Sequence, residues 1–262
     1  MADMNLSVQV KGIKQGMNVN DVKVPVKLRE RRLTGLSWFD DAFGGEGLVP
    51  STLHMISGMP GAGKSTLARQ LGNSITKSGH ICIGNSGEES PYQVAMACER
   101  LNFKHGFLVG QETMVPELLN YADNVRKAHP TKQLFLLQDS LQTFDDGKYV
   151  DKFGNSRGTN GSTPVRATEM LTKYCKDTYT ICLFIAQCTK NGDFAGKNTV
   201  LHAVDGRGHL YFDEDKKSET WGKRLFEVSK NRWGCNGKTF IVGMGKEGLY
   251  EEGNFEKAKM GG

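Results

Sequence analysis

The run Gly58-Met59-Pro60-Gly61-Ala62-Gly63-Lys64-Ser65-Thr66 completes the phosphate-loop pattern G-x-x-x-x-G-K-[ST]. Its chemistry follows from its residue types. Glycines let the backbone close around phosphate oxygens. The start of the next helix aims free N–H groups and a positive dipole end at them. Lys64 can reach the β- and γ-phosphates, and Ser65 can hold Mg²⁺. Thr52 to Ile56 reads as a short buried strand before the loop. Thr66 to Lys77 reads as a helix after it, with Leu67, Leu71 and Ile75 on one face. Strand, glycine turn and helix are the context in which this motif binds a nucleotide. ATP with Mg²⁺ is therefore the expected ligand.

Three further strand ends carry polar residues suited to the same site. Leu134 to Leu137, followed by Gln138-Asp139-Ser140, fits a Walker B strand. An Asp at such an end holds the Mg²⁺ shell. Ser86-Gly87-Glu88-Glu89-Ser90 follows the strand Ile81–Ile83. A carboxylate there, Glu88 first and Glu89 next in line, can orient an attacking water. The same turn also reads as a helix cap through Ser90. Gln187 ends the strand Ile181–Ala186. Its neutral amide either senses the γ-phosphate and passes its loss to the next loop, or simply caps the strand.

These ends need a scaffold. Leu36 to Phe43 reads as a short helix before Gly44-Gly45, and Tyr92–Leu101, Val115–Ala128 and Val165–Thr178 read as further helices. Strands alternating with helices imply a mainly parallel sheet buried on both faces. The last third changes character. Leu210–Phe212, Leu225–Ser229 and Thr239–Val242 read as short strands joined by turns, an antiparallel extension. Two long polar stretches, 144–163 and 189–208, show neither helical nor strand period. Loops of that length in a compact domain are functional or disordered. Both begin at the carboxyl ends of strands, the edge where open α/β sheets bind ligands. Three segments are expected: a basic arm over 1–32 with one edge strand, the ATPase domain over 33–252, and a tail over 253–262.

Composition narrows the class. Among 262 residues, 34 are basic and 29 acidic, giving a net charge of +5. That charge permits a nucleic-acid partner without requiring one. The six cysteines form no C-x-x-C pair, which argues against a zinc ribbon and suits reduced core residues. No apolar run approaches the roughly 18 residues of a membrane span. The N-terminus lacks an apolar signal core, so a cytoplasmic protein without membrane contact is expected.

A family resemblance then covers most of the chain, from about Leu33 to Glu251. The segments Gly44-Gly45-Glu46-Gly47-Leu48-Val49-Pro50, Ser86 to Ser90, and Asp139-Ser140-Leu141-Gln142-Thr143 resemble motifs of the RadA (Sms) branch of RecA-like ATPases. Thr189-Lys190, Ala195-Gly196, His202 and Val204-Asp205 are similar to its second loop. Lys230-Asn231-Arg232-Trp233-Gly234 resembles its K-N-R-F-G motif, with Trp for Phe. The second loop departs at Lys197 and Leu201, and Gln187 stands where the family has His. The family's four-cysteine zinc module and Lon-like domain have no counterpart here, so a core-only relative is expected, of the kind found among phage recombination proteins.

The resemblance implies a RecA-like core: a mainly parallel sheet with helices on both faces and a C-terminal antiparallel extension. It implies a homo-oligomer, either a ring, expected to be a hexamer, or a filament. ATP would lie between neighbouring subunits, with Lys230 and Arg232 reaching into the next subunit's site. The long loops would follow single-stranded DNA. Lys148, Lys152, Arg157, Lys190, Lys197 and Arg207 would contact phosphates, with Phe153 and Phe194 placed to stack on bases. A DnaB-like helicase motor and a KaiC-like regulatory module without DNA are the alternatives.

Overall fold

The computed structural model describes residue 13 and residues 15–149, 160–188, 198–235 and 237–256. The elements in chain order are a 3-10 turn Val19–Asp21, α1 (Val26–Arg29), α2 (Ser37–Ala42), β1 (Leu53–Gly58), α3 (Lys64–Lys77), β2 (Ile81–Ser86), α4 (Pro91–Arg100), β3 (Leu108–Gly110), α5 (Val115–Ala128), β4 (Leu134–Asp139), α6 (Thr163–Thr178), β5 (Ile181–Gln187), α7 (Asn198–Ala203), β6 (Gly206–Phe212), β7 (Arg224–Asn231), β8 (Lys238–Gly245) and β9 (Gly248–Glu256). They build one nine-stranded sheet in the order β3-β2-β4-β5-β1-β6-β7-β8-β9. From β3 to β6 the neighbours run parallel. From β6 to β9 they run antiparallel.

Two apolar layers sandwich the parallel part. Leu67, Leu71 and Ile75 of α3 join Trp38, Phe39 and Phe43 against Ile56, Phe135, Leu137 and Leu183. On the other face Leu118 and Ala122 of α5, Leu171 of α6 and Val200 of α7 cover Met55, Leu136 and Phe184. A strand covered on both sides needs no polar alternation, which is why the central strands read as unbroken apolar runs. Each side chain buried this completely contributes roughly 1.5–3 kcal/mol.

The observed strands outrun their apolar cores. β1 reaches Gly58, β2 reaches Ser86 and β4 reaches Asp139, because the parallel ladder continues through Ser57↔Ala186, Gly58↔Gln187 and Ser86↔Asp139. Backbone pairing, indifferent to side-chain polarity, sets the ends. The stretch 189–208, expected to lack helical or strand period, contains α7 and the start of β6. Six residues are too few to show a helical period, and Val200 and Ala203 alone are buried enough to reveal one. The short edge strand β3 was similarly beyond the reach of periodicity. β9 runs to Glu256, across the expected domain end at 252, by pairing along β8. The described part of the arm holds a 3-10 turn and α1 rather than an edge strand, and Arg32 bridges to Leu48.

Candidate active site

The strand order lays β2, β4, β5 and β1 side by side. Their carboxyl ends carry Glu88, Asp139, Gln187 and the phosphate loop. Residues far apart in sequence thereby share one edge of the sheet.

The loop has the geometry its motif requires. Gly61 and Gly63 take positive φ of 77° and 102°, and Gly63 is the N-cap of α3 with no side chain on the helix's free N–H groups. A helix of 14 residues thus presents bare donors at its start. Gly58 has a separate reason to be glycine, since a Cβ there would lie 2.1 Å from the Leu210 carbonyl oxygen. Lys64 Nζ donates to the carbonyls of Gly58 and Met59, both at 2.9 Å, so its ammonium sits inside the loop. Burial lowers the Lys64 pKa, opposed by Cys188, Asp139 and Glu88. Burial likewise raises the Asp139 pKa from its ordinary value, with Glu88 adding to it, while the nearby Ser65 hydroxyl and the charges of Arg69 and Lys64 oppose the shift. Ser65 and Asp139 line the same cavity at this edge. A hard cation between hydroxyl and carboxylate suits this oxygen pair, and the bare helix start suits phosphate.

The structure separates the two glutamates. Ser86 Oγ accepts from the N–H groups of Glu88 and Glu89 at 3.3 and 3.0 Å, and the Gly87 N–H donates to the Asp139 carbonyl at 2.8 Å. This fixes the turn. Glu89 is taken by an ion pair with Arg69, which is buried on α3. Glu88 is exposed, and its charge acts on Lys64 of the loop. Its Oε1 accepts from Ser140 Oγ at 2.6 Å and from Gln187 Nε2 at 3.1 Å. Ser90 caps α4 through a capping box with Gln93. The capping reading of Ser90 is met, and the cap leaves the Glu88 carboxylate outside it. Arg69 and Ser140 were not singled out from sequence. Arg69 gave no signal, its partner lying far along the chain; Ser140 gave one, a hydroxyl directly after the strand-end Asp.

Lys230 and Arg232 end β7 at the opposite edge of the sheet. The register runs Gly58↔Leu210 and His54↔Gly206 from β1 to β6, then Leu210↔Phe226 and Gly206↔Asn231 from β6 to β7. Both cations bind α7 of their own chain. Lys230 Nζ donates to the carbonyls of Leu201 and His202 at 3.0 and 3.2 Å. Arg232 Nη2 donates to the His202 carbonyl at 3.0 Å, and Nη1 pairs with Asp205 at 3.3 Å. They cover the carbonyl end of α7, where cations are favoured.

Of the expected DNA contacts, Lys152, Phe153, Arg157, Lys190, Phe194 and Lys197 lie outside the described residues. Lys148 sits at the stem of the first loop, its ammonium 5.7 Å from the centre of the Tyr149 ring. Arg166 lies against the same ring and pairs with Asp146, tying that stem to α6. Arg207 belongs to no loop. It is half-buried in β6, in register with Lys230 at the far edge, because strand pairing starts at Gly206. Among the described residues no cluster of metal-ligating side chains of three or more occurs, and no helix is long and apolar enough to cross a membrane.

Comparison with known proteins agrees with this geometry. A model of the family described as "ATPase: KaiC" matches residues 33–242. DNA repair protein RadA of Aquifex aeolicus is 31% identical over 223 residues, 85% of this chain and 46% of that protein. RadA of Streptococcus pyogenes serotype M3 is 32% identical over 237 residues, 87% of this chain and 48% of that protein. The chain thus spans about half the length of these curated relatives. Among solved structures, a DnaB-like replicative helicase superposes with a TM-score of 0.66 at 14% identity, covering 82% of this chain and 59% of that one. A KaiC-like protein from Pyrococcus horikoshii gives 0.62 at 16%, covering 85% and 99%. A phosphate loop, an apolar strand ending in Asp139 and a mainly parallel sheet of this order, with relatives matching along the same span, make the chain a member of the KaiC family of RecA-like ATPases and a relative of the RadA core.

Proposed function

We propose that this protein is a Mg²⁺-dependent ATPase of DNA recombination that hydrolyses ATP between neighbouring copies and binds single-stranded DNA through the segments 144–162 and 188–197. Strand annealing, exchange or branch migration would be the work it drives. The observation that carries this reading is the placement of the loop stems. The first segment follows Asp139 and the 3-10 turn Leu141–Thr143 that continues β4, and the second leaves β5 at Gln187, which touches Glu88. A change at the γ-phosphate has a short physical route into both loops, and a ligand that favours one loop state shifts the other site by the same free energy.

In this reading Lys64 neutralises charge on the β- and γ-phosphates, and α3 binds them with its bare N–H groups. Ser65 and Asp139 would hold Mg²⁺, which supplies positive charge against the phosphate oxygens when bound. Glu88 takes a proton from the attacking water, and Gln187 reports whether the γ-phosphate is present. Lys230 and Arg232 lie across the sheet from their own phosphate loop, which supports a role at a neighbouring copy's site. Cations there would stabilise charge on the transferred phosphoryl group.

The KaiC family match favours one second reading, a regulatory ATP-binding module that ignores DNA. An ATPase assay with and without single-stranded DNA separates them. Stimulation of turnover by DNA is the expected result; turnover indifferent to DNA, together with no DNA binding at low salt, would leave the KaiC-like reading standing.

A further inference from the structure

We infer that Ser140 is a positioning residue for hydrolysis: its hydroxyl pins Oε1 of Glu88 and leaves Oε2 to accept the proton of the attacking water. The inference rests on the reading of Glu88 as the base. Glu88 is exposed, so its side chain would otherwise sample several rotamers in water, a freedom costly to remove at the moment of reaction. Two donors restrain it, and both choose the same oxygen. Oε2 accepts no hydrogen bond among the described residues. The two donors differ in kind. Gln187 is exposed and starts a loop, so its amide is free to leave. Ser140 is 1% exposed and cannot follow solvent. Its own carbonyl is held by the Thr143 N–H at 3.1 Å and the Thr143 hydroxyl at 2.8 Å, which fixes the residue from which the hydroxyl projects. At 2.6 Å the bond has the length of a charge-assisted one. The bond satisfies the buried Ser140 hydroxyl, while for the exposed carboxylate, hydrated in any case, its effect is one of orientation.

The test is a double-mutant cycle on ATP turnover. Ser140→Ala is expected to lower kcat about tenfold to a hundredfold, with KM for ATP moving less than about threefold. Ser140→Thr, which keeps the hydroxyl, is expected to recover most of the rate. In a Glu88→Gln background Ser140→Ala should cost nothing more, because its target is already disabled. Binding of a fluorescent ATP analogue checks that each variant is folded. Ser140→Cys, close to serine in volume but a weak donor, serves where the alanine variant does not fold, and is also expected to be slow. A folded Ser140→Ala or Ser140→Cys protein with parental turnover beside a slow Glu88→Gln would overturn the role of Ser140 and leave Glu88 as the base. Losses that multiply in the double variant would overturn it as well, since Ser140 would then act elsewhere. Parental turnover in Glu88→Gln would remove the base assignment itself, and this inference with it.

Discussion

At the scale of single residues, the adjacent acids Glu88 and Glu89 receive different fates from their surroundings. Glu89 neutralises the buried Arg69 guanidinium, whereas Glu88 faces the phosphate loop. Glu88→Gln should bind ATP with near-parental affinity and turn over at least about a hundredfold more slowly, the scale of a lost general base. Glu89→Gln should keep turnover within about threefold, but lower the melting temperature, because the Arg69 guanidinium loses its ion-pair partner and keeps only the nearby charge of Asp139, at a cost of about 1–3 kcal/mol. Single-turnover rates and thermal melts of the two variants check this; a Glu89→Gln protein that is slow and stable would reverse the assignment. Lys64→Ala should abolish hydrolysis. A second residue carries a pH dependence. His54 is buried beside Phe43, with Nε2 against the Thr52 hydroxyl at 2.8 Å, and burial lowers its pKa from 6.5 to about 4, partly opposed by Asp205. The folded state therefore refuses a proton that the unfolded chain accepts. Stability should be unaffected above pH 6.5 and fall as pH drops toward 4, the loss approaching about 3 kcal/mol. Urea midpoints across that range should fall more steeply for the parent than for His54→Gln.

At the scale of elements, the hairpin from β7 to β8 is the telling piece. It carries Lys230 and Arg232 to the sheet edge away from their own phosphate loop, and there they grip the carbonyl end of α7. If these cations serve a neighbouring copy, subunits carrying Lys64→Ala and subunits carrying Arg232→Ala are each inactive alone. Mixed, they should regain activity, because some interfaces pair an intact loop with an intact Arg232. Steady-state turnover of the mixture measures this, and no recovery in demonstrated mixed oligomers would refute it. The loop-to-strand joint offers a control of a different kind. Gly58→Ala would drive a Cβ into the Leu210 carbonyl of β6, so it should destabilise the protein by several kcal/mol even without nucleotide, as clashes against backbone do. Melting the apo protein tests this independently of any assembly.

At the scale of the whole molecule, the sheet edge that carries the phosphate loop also carries the starts of two long segments. Single-stranded DNA should bind more tightly with an unhydrolysed ATP analogue than with ADP. Contacts to phosphate release counterions, so affinity should fall steeply with salt and depend little on sequence. Replacing Lys190 and Lys197 together with Ala should reduce the salt slope by about one to two units, at roughly 0.7 per lost phosphate contact, while basal hydrolysis persists. The basic arm, which reaches the hairpin through Arg31 and its bond to the Trp233 carbonyl, is the rival source of affinity. Deleting residues 1–32 is the control: loss of binding there, with the loop lysines indifferent, would move the contact to the arm.

The amino-acid sequence by itself determined the phosphate loop, the buried strands and the helix face of Leu67, Leu71 and Ile75. Each of these is local: glycine conformations, apolar runs and a helical period are written within a few residues. It also carried the order of elements from which a parallel sheet with an antiparallel end follows. The tertiary structure alone decided which of two neighbouring glutamates is held in an ion pair, because the partner Arg69 lies on another element. It decided that Ser140 and Gln187 meet on one oxygen of Glu88, since strand order brings β2, β4 and β5 together. It decided that Lys230 and Arg232 lie across the sheet from Lys64, because the direction of β7 comes from its pairing with β6. Strand ends, short α7 and β9 escaped the sequence for the same reason: their stability comes from partners distant in the chain, and a pattern within the chain records only what a segment does alone.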